Sequence, residues 1–510
     1  MNINEKHIFK NDRISGILIG AAVGDALGAG YEFGPALAPQ THIYMGGQGA
    51  FAPGEWTDDA AQMIAIAQGA EFHDIATPQG QDAIAKNFLT WYFSPAREKD
   101  IGIHTANVMR QVTDHDETDL AKKFTQIAKA EEDKSPGTSG GNGALMRTAP
   151  VALAKLSNER ELVETAITTA MLTHADERSA QASAVWCLAI KEAIAIERFQ
   201  SQSDLLTLKE NLEQAIKRTM PHDAAFWWEQ LEQATGADPR DFHDGNGYSV
   251  QTLKCAWAAI TGTPIPPENN ARHFADALQE AVRAGNDADT VACVAGSLLA
   301  AIWGLSAIPT IWRTQIHGWP DMRDRDLHAL SINVMNKESK AENTEYKWPN
   351  VDRMDYSSWS STDNIAVHPH DSGVILAGFD AARGSVQTPI QIDAIVSLCR
   401  MGREDISHFN LDPGNHVEIR IIDEPGHNAH TQLTLADAAD TVAYFRNQGK
   451  TVLLHCVAAH SRTPTVAALY SIRHKGVAPT DALTQVTAVL TNAHPNSEFT
   501  QIILHQKEQS

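Results

Sequence analysis

Cysteine is scarce in this sequence. There are five in 510 residues (Cys187, Cys255, Cys293, Cys399, Cys456), odd in number, scattered, and with no C-x-x-C pair. That argues against a disulfide framework or a structural zinc site and fits a reducing compartment. Positive charge is also short: 41 Lys and Arg face 63 Asp and Glu, for a formal net charge of −22. Polyanions would be repelled, so nucleic acid and anionic membrane are not expected partners. No stretch reads as long and apolar enough for a transmembrane helix, and Met1-Asn2-Ile3-Asn4-Glu5-Lys6-His7 has no apolar signal core. The expected location is cytoplasmic. What remains is an ordinary globular composition, long enough for two or three domains each with its own core.

The first informative stretch is Gly285-Asn286-Asp287-Ala288-Asp289-Thr290, which runs into the small and apolar Val291-Ala292-Cys293-Val294-Ala295-Gly296-Ser297. Such a run reads as a buried helix with two carboxylates and a hydroxyl at its N-terminus. Acidic first turns are favoured by capping and the helix dipole, yet three oxygen donors in one turn also suit a hard divalent cation. A second cluster of the same kind shifts the balance. Gly54-Glu55-Trp56-Thr57-Asp58-Asp59 opens another helix, with Thr57 as its N-cap. With Glu32, a carboxylate just past the glycine-rich helix Arg13–Gly30, the two clusters supply enough oxygen ligands for two cations.

Between these lies Gly137-Thr138-Ser139-Gly140-Gly141-Asn142-Gly143, whose glycines let backbone amides turn toward an anion or a sugar. It is neither a G-x-G-x-x-G after a strand nor a Walker A loop, so no nucleotide fold follows from it. Thr173-His174-Ala175-Asp176 separates two helical runs. Nearly everything up to Trp312 is helical at period 3.6, without convincing strands.

GDALGAGYE (24–32), GEWTDD (54–59), GNGALMR (141–147), THAD (173–176) and GNDADT (285–290) together resemble the ADP-ribosylglycohydrolase family, of the dinitrogenase-reductase-activating type. The resemblance covers residues 10–325 and is specific as a set. It implies an all-α fold with a dinuclear magnesium or manganese centre. Thr57, Asp58, Asp59, Asp287, Asp289 and Thr290 would be the ligands, with Glu32 beside them as a catalytic carboxylate. Gly140, Gly141, Asn142 and Gly143 would wrap the distal ribose and diphosphate, and His174 would sit close to the ligand. The substrate implied is an ADP-ribosylated protein, with ADP-ribosyl-arginine the leading acceptor.

Residues 326–362 change character and read as a linker or strap, polar with scattered Trp and Pro, including Tyr346-Lys347-Trp348-Pro349-Asn350 and Ser357-Ser358-Trp359-Ser360-Ser361. From 363 to 510 the pattern turns α/β. Gly373–Gly378 and Val417–Asp423 read as strands, and Thr434–Asn447 as an amphipathic helix. Thr451-Val452-Leu453-Leu454 then delivers His455-Cys456, followed by Val457-Ala458-Ala459-His460-Ser461-Arg462-Thr463 and a helix to Lys475.

A strand, a Cys-x5-Arg loop and a helix N-terminus can bind a phosphate, and the same positive field favours the Cys456 thiolate. Arg462 can grip phosphoryl oxygens as a fork. The segment is similar to the dual-specificity-type cysteine phosphatases. That likeness implies Cys456 as nucleophile, Arg462 as phosphate clamp, Thr463 as an aid to the leaving thiolate and Asp423 as general acid. One departure stands out: the family usually has glycine where Ala459 stands, and alanine at positive φ carries strain.

The fold expected is therefore multi-domain, an N-terminal all-α ADP-ribosylglycohydrolase-like domain followed by a C-terminal α/β cysteine-phosphatase-like domain. Three functions follow. One is a metal-dependent hydrolase removing ADP-ribose from protein side chains. The second is a bifunctional enzyme whose main work is phosphate-ester hydrolysis, on a phosphoprotein. The third is a non-catalytic binder that blocks an ADP-ribosyltransferase.

Overall fold

The computed structural model describes residues 3–112, 119–338, 356 and 364–506. The chain divides into two compact units. One comprises Phe9–Ile308 with Gln315–Trp348, the other Pro349–Ser510 with Met1–Ile8 and Pro309–Thr314.

The first unit is helical. Its central helices are Ile3–Gly28, Asp58–Phe72, Glu177–Ala195, Ser249–Gly262 and Ala288–Trp303. Among the described residues its only strands are the two-residue pair β1 (His317–Gly318) and β2 (Met322–Arg323). The first helix is longer and more apolar than the sequence reading allows. Over Ile8–Tyr31 it meets the length and composition of a membrane span, and 89% of its 18-residue apolar window is buried inside the protein. Its glycines explain the burial. A β-carbon on Gly20 would lie 2.4 Å from the Gly296 carbonyl oxygen, and one on Gly24 would lie 2.0 Å from that of Ala292. The helix thus packs backbone to backbone against Ala288–Trp303, where a side chain of any size would hold the two apart.

The expected strap does not begin at 326. Asp324–Glu338 is a helix that packs against the Asp58–Phe72 and Ala149–Ala154 helices. Leu327, Leu330, Ser331 and Val334 are buried at the i, i+3, i+4, i+7 spacing of one helical face. Polar residues on the opposite face masked that pattern. The remaining strap residues, Lys340, Tyr346–Asn350 and Ser357–Ser361, lie outside the described residues.

The second unit carries a five-stranded sheet ordered β3-β4-β7-β5-β6, with β3 Ile365–His368, β4 Asp371–Ala377, β5 Ala394–Ser397, β6 His416–Glu418 and β7 Val452–His455. The β3–β4 pair is antiparallel and the other pairs are parallel. Leu376 pairs with Leu454, Leu454 with Val396, and Val396 with Val417, a continuous apolar row across the sheet. Helices Thr431–Asn447 and Arg462–Lys475 contribute to the core against it. The strand expected over Val417–Asp423 stops at Glu418. Ile419 N–H makes a last bond to the Ser397 carbonyl, and the Asn428 side chain then holds the Ile422 backbone in a loop. β6 is an edge strand, so nothing beyond it holds the chain extended.

Candidate functional site

The carboxylate-rich helix starts meet in the first unit. Thr57 caps its helix in extended geometry, its hydroxyl accepting from Asp59 N–H at 3.5 Å and donating to Asp59 Oδ2 at 3.1 Å. Asp59 and Asp289 each bring an oxygen within 4.8 Å of Asp25, and Glu32, Asp287 and Asp289 form a second such trio. Thr290 stands beside Asp59 from the other helix, where it offsets part of the burial that raises Asp59. Asp289 is therefore shared by both trios. Asp58 accepts from Gln62 Nε2 at 2.8 Å and lies beside Asp100, whose charge helps to raise it.

Two of these carboxylates escaped the ligand set read from the sequence. Asp25 is fully buried and accepts from the backbone N–H groups of Thr57 and Ala60, both at 2.9 Å, so it orients the second helix start. It sits inside the GDALGAGYE motif, one turn before Gly28, where the sequence already suggests an aspartate that caps or orients a neighbouring element. Asp100 lies in no motif, and only the fold brings it to Asp58.

Burial and mutual repulsion push these groups upward. Burial raises Asp25 to about 7, and burial with the nearby Asp100, Asp287 and Asp25 raises Glu32 to about 8. Burial, again with neighbouring carboxylates, also holds Asp58, Asp59 and Asp289 well above the usual carboxylate range. So many carboxyl groups cannot all ionise without a compensating cation. Asp59 Oδ1 is buried with no hydrogen-bond partner. An acceptor so left costs free energy unless a ligand fills it, and an all-oxygen donor set suits a hard divalent cation.

The glycine loop lies next to this cluster. Asn142 tethers it, donating from Nδ2 to Asp287 Oδ2 at 2.7 Å and to Thr252 Oγ1 at 3.0 Å. Ser249 Oγ donates to the carbonyl of Gly141 at 2.6 Å, and Ser179 Oγ to the same carbonyl at 3.0 Å. At Gly140 a β-carbon would strike the Tyr248 ring at 2.4 Å, and at Gly143 the His174 ring at 2.9 Å. His174 is 2% exposed, and burial beside Arg147 holds it neutral, well below the usual imidazole range. The structure thus gathers Glu32, Thr57, Asp59, Asp287, Asp289, Thr290, Gly140, Gly141, Asn142, Gly143 and His174 in one unit, with Asp58 on the side toward Asp100.

In the second unit β7 ends at His455 and Cys456 opens the loop to the Arg462–Lys475 helix. Cys456 is buried. Ala459 has φ +57°, the left-handed conformation that glycine adopts without cost. Asn364 braces the loop, donating to the Ala458 carbonyl at 2.8 Å, and the Phe379 N–H donates to the Val457 carbonyl at 2.9 Å. Arg462 Nη1 donates to the carbonyls of Leu398 and Ile421, while its buried Nε has no hydrogen-bond partner and lies 3.9 Å from Asp423 Oδ2. Asp423 is held at the loop by Ser461 Oγ (2.6 Å) and Asn496 Nδ2 (3.0 Å). Thr463 Oγ1 donates to the Ala377 carbonyl at 3.4 Å. Ser461 lies within the Cys456–Arg462 loop, whereas only folding brings Asn364 and Asn496 to it.

Residues 6–343 match the ADP-ribosylglycohydrolase family, and residues 374–509 match the dual specificity phosphatase catalytic domain. An ADP-ribosylarginine hydrolase, Tri1, of Pseudomonas putida (strain GB-1) is 29% identical over 315 residues, covering 59% of this chain and 73% of that protein. The ADP-ribosyl-[dinitrogen reductase] glycohydrolase of Rhodospirillum rubrum is 28% identical over 322 residues, covering 60% of this chain and 90% of its own. A solved structure described as an ADP-ribosylglycohydrolase-related protein complex is 27% identical, with a TM-score of 0.47, and covers 65% of this chain and 99% of its own.

Proposed function

Because this chain belongs to the ADP-ribosylglycohydrolase family through residues 6–343, we propose that it removes ADP-ribose from modified protein side chains, with arginine the favoured acceptor. The observation that carries this reading is the convergence of Asp25, Glu32, Asp59, Asp287 and Asp289, with one buried Asp59 oxygen lacking a partner. Thr57, Asp58, Asp59, Asp287, Asp289 and Thr290 would hold two divalent cations, magnesium or manganese. When bound, such cations orient a ribose diol, lower the pKa of water and balance developing charge.

The protein's own groups supply the rest. Glu32 stands half-buried at the edge of the cluster with its proton affinity raised, suited to exchanging a proton with water or a ribose hydroxyl. Asn142 ties the glycine loop to Asp287, so the part of the site that would take the diphosphate is held to the part that would take the reacting ribose. Gly140 and Gly143 let the Tyr248 and His174 rings pack against the loop, where a β-carbon would collide with them. The expected substrate is an ADP-ribosylated protein in the cytoplasm, in keeping with five free thiols.

The C-terminal unit is a dual-specificity-phosphatase-like domain. Its reading is a second activity on a phosphate ester. Cys456 would attack phosphorus, Arg462 would grip the phosphoryl oxygens, Asp423 would protonate the leaving oxygen, and Thr463 would assist the departing thiolate. The Ser461–Asp423–Asn496 contacts favour this role, since they hold the carboxyl group at the rim of the Cys456 loop.

The test is ADP-ribose release from an arginine-ADP-ribosylated protein, with and without magnesium, wild type beside Asp287→Ala, and serine-linked ADP-ribose in parallel. Metal-dependent release from arginine, lost in the variant, is expected. Release from serine alone would move the acceptor. No release from either would leave the blocking-partner reading. Cys456→Ser should separately abolish cleavage of a generic phosphate ester.

A further inference from the structure

A buried hydrogen-bond chain runs from the carboxylate Asp58 to His174, and the direction of each bond can be worked out. Arg147 is the fixed point. Its guanidinium is fully buried over the Phe88 ring, 4.4 Å from the ring centroid, and it can only donate. Nη1 donates to Gln62 Oε1 and Nη2 to Thr173 Oγ1, each at 2.5 Å. On one side the Gln62 amide must therefore present its Nε2 to Asp58, and it does, at 2.8 Å from Oδ2.

On the other side Thr173 Oγ1 already accepts from Arg147, so its own proton needs an acceptor. Thr173 is fully buried, and the described residues offer that hydroxyl only the Nδ1 of His174, 2.8 Å away. A ring nitrogen that accepts carries no proton, so neutral His174 holds its proton on Nε2. That edge of the ring faces Gly143, where an added β-carbon would lie 3.0 Å from Nε2. Nε2 has no hydrogen-bond partner among the described residues, although the side chain is 2% exposed. A donor on the Gly143 side of the ring that no protein group uses is suited to a ligand acceptor.

We propose that Arg147, acting through Thr173, fixes His174 as a neutral Nε2–H donor for an acceptor oxygen of the ligand held by the Gly140–Gly143 loop. The inference rests on reading that ligand as ADP-ribose. Arg147 is a positioning residue. His174 is a binding donor and not a general base, because its outer nitrogen has no lone pair to offer. The same arginine also orders Gln62 against Asp58, so one buried cation organises both the glycine loop and the acidic cluster.

The experiment uses the full-length chain loaded with magnesium. Two-bond 1H–15N spectra of 15N-histidine-labelled protein, with the His174 signal assigned by its loss in His174→Gln, read the tautomer without any substrate. Calorimetry with ADP-ribose alone reads affinity. The wild type should show the Nε2–H form, unchanged from about pH 6 to about pH 8. Thr173→Val, which keeps the shape and removes the hydroxyl, should lose that single tautomer and weaken ADP-ribose binding about tenfold, as expected for one lost hydrogen bond. Thr173→Ser should restore both. Arg147→Lys, whose single ammonium cannot reach both partners, should resemble Thr173→Val in the spectrum. An Nδ1–H signal in the wild type, titration of His174 in that pH range, or wild-type affinity in Thr173→Val would overturn the proposal. A protein that shows the Nε2–H form yet releases no ADP-ribose would count against the hydrolase reading and leave the donor assignment standing.

Discussion

Gly28 and Asp289 touch backbone to backbone: a β-carbon on Gly28 would lie 2.4 Å from the Asp289 α-carbon. This contact sets the distance between the first helix and the Ala288–Trp303 helix, and so brings Asp25, one turn earlier, to Asp289 and Asp59. Gly28→Ala has no room to relax into, since what it meets is main chain. The expected cost is about 3 kcal/mol of stability together with loss of tight divalent-cation binding. Thermal melts and manganese titration would check it, and wild-type cation affinity in a folded Gly28→Ala protein would refute the link between this contact and the centre.

The acidic cluster predicts how the metal-free protein responds to pH. Asp25 and Glu32 have folded values of about 7 and about 8, raised from 3.8 and 4.5. Groups raised in this way contribute stability at acid pH that is lost as pH rises through the folded values. With chelator present, the melting temperature of the first unit should fall between about pH 5 and about pH 8.5, and millimolar magnesium should flatten that slope. A metal-free protein that gains stability over this interval would contradict the prediction.

Ala459 offers a gain. Its left-handed φ costs an L-residue with a β-carbon roughly 1–2 kcal/mol, of which glycine would recover most. Glycine also makes the unfolded chain more flexible, returning about 0.5–1 kcal/mol. Ala459→Gly should therefore stabilise the C-terminal unit by a net of about 0.5–1 kcal/mol, read from denaturant midpoints. A lowered midpoint would mean that the loop is not under the strain its backbone implies.

Asp371 is the charged anchor of β4. It accepts from Tyr470 Oη at 2.7 Å and pairs with Lys475 (2.8 Å) and Arg446 (3.0 Å), its side chain only 7% exposed. These partners outweigh the cost of burial and hold its carboxyl below the usual range. The stability it contributes is present above the ordinary aspartate pKa and disappears as pH falls through the lower folded value. Asp371→Asn should cost about 3 kcal/mol at neutral pH and little in strong acid. Equal loss at both pH values would show that packing, and not charge, makes the contribution.

Several features were legible in the sequence because short spacings carry them. Thr57-Asp58-Asp59 and Asp287-Ala288-Asp289-Thr290 announce helix starts crowded with oxygen, since an N-cap and its first turn are set by adjacent residues. A buried strand, Cys456 and Arg462, then a helix, likewise form one local unit whose phosphate-binding character follows from its backbone. Helix Asp324–Glu338 was equally local but hidden, because its buried stripe is interleaved with polar residues.

Only the tertiary structure joined Asp25 and Asp100 to the acidic clusters, ended β6 at Glu418, and set the direction of the bonds from Arg147 to His174. Each depends on residues far apart in the chain, such as Asp25 with Asp289 or Arg147 with Gln62 and Thr173. Helix composition shows that a glycine face will pack closely, but not against which partner. Whether a carboxylate ionises or a histidine donates depends on that partner, because burial and neighbouring charge, and not residue type, set the cost of each protonation state.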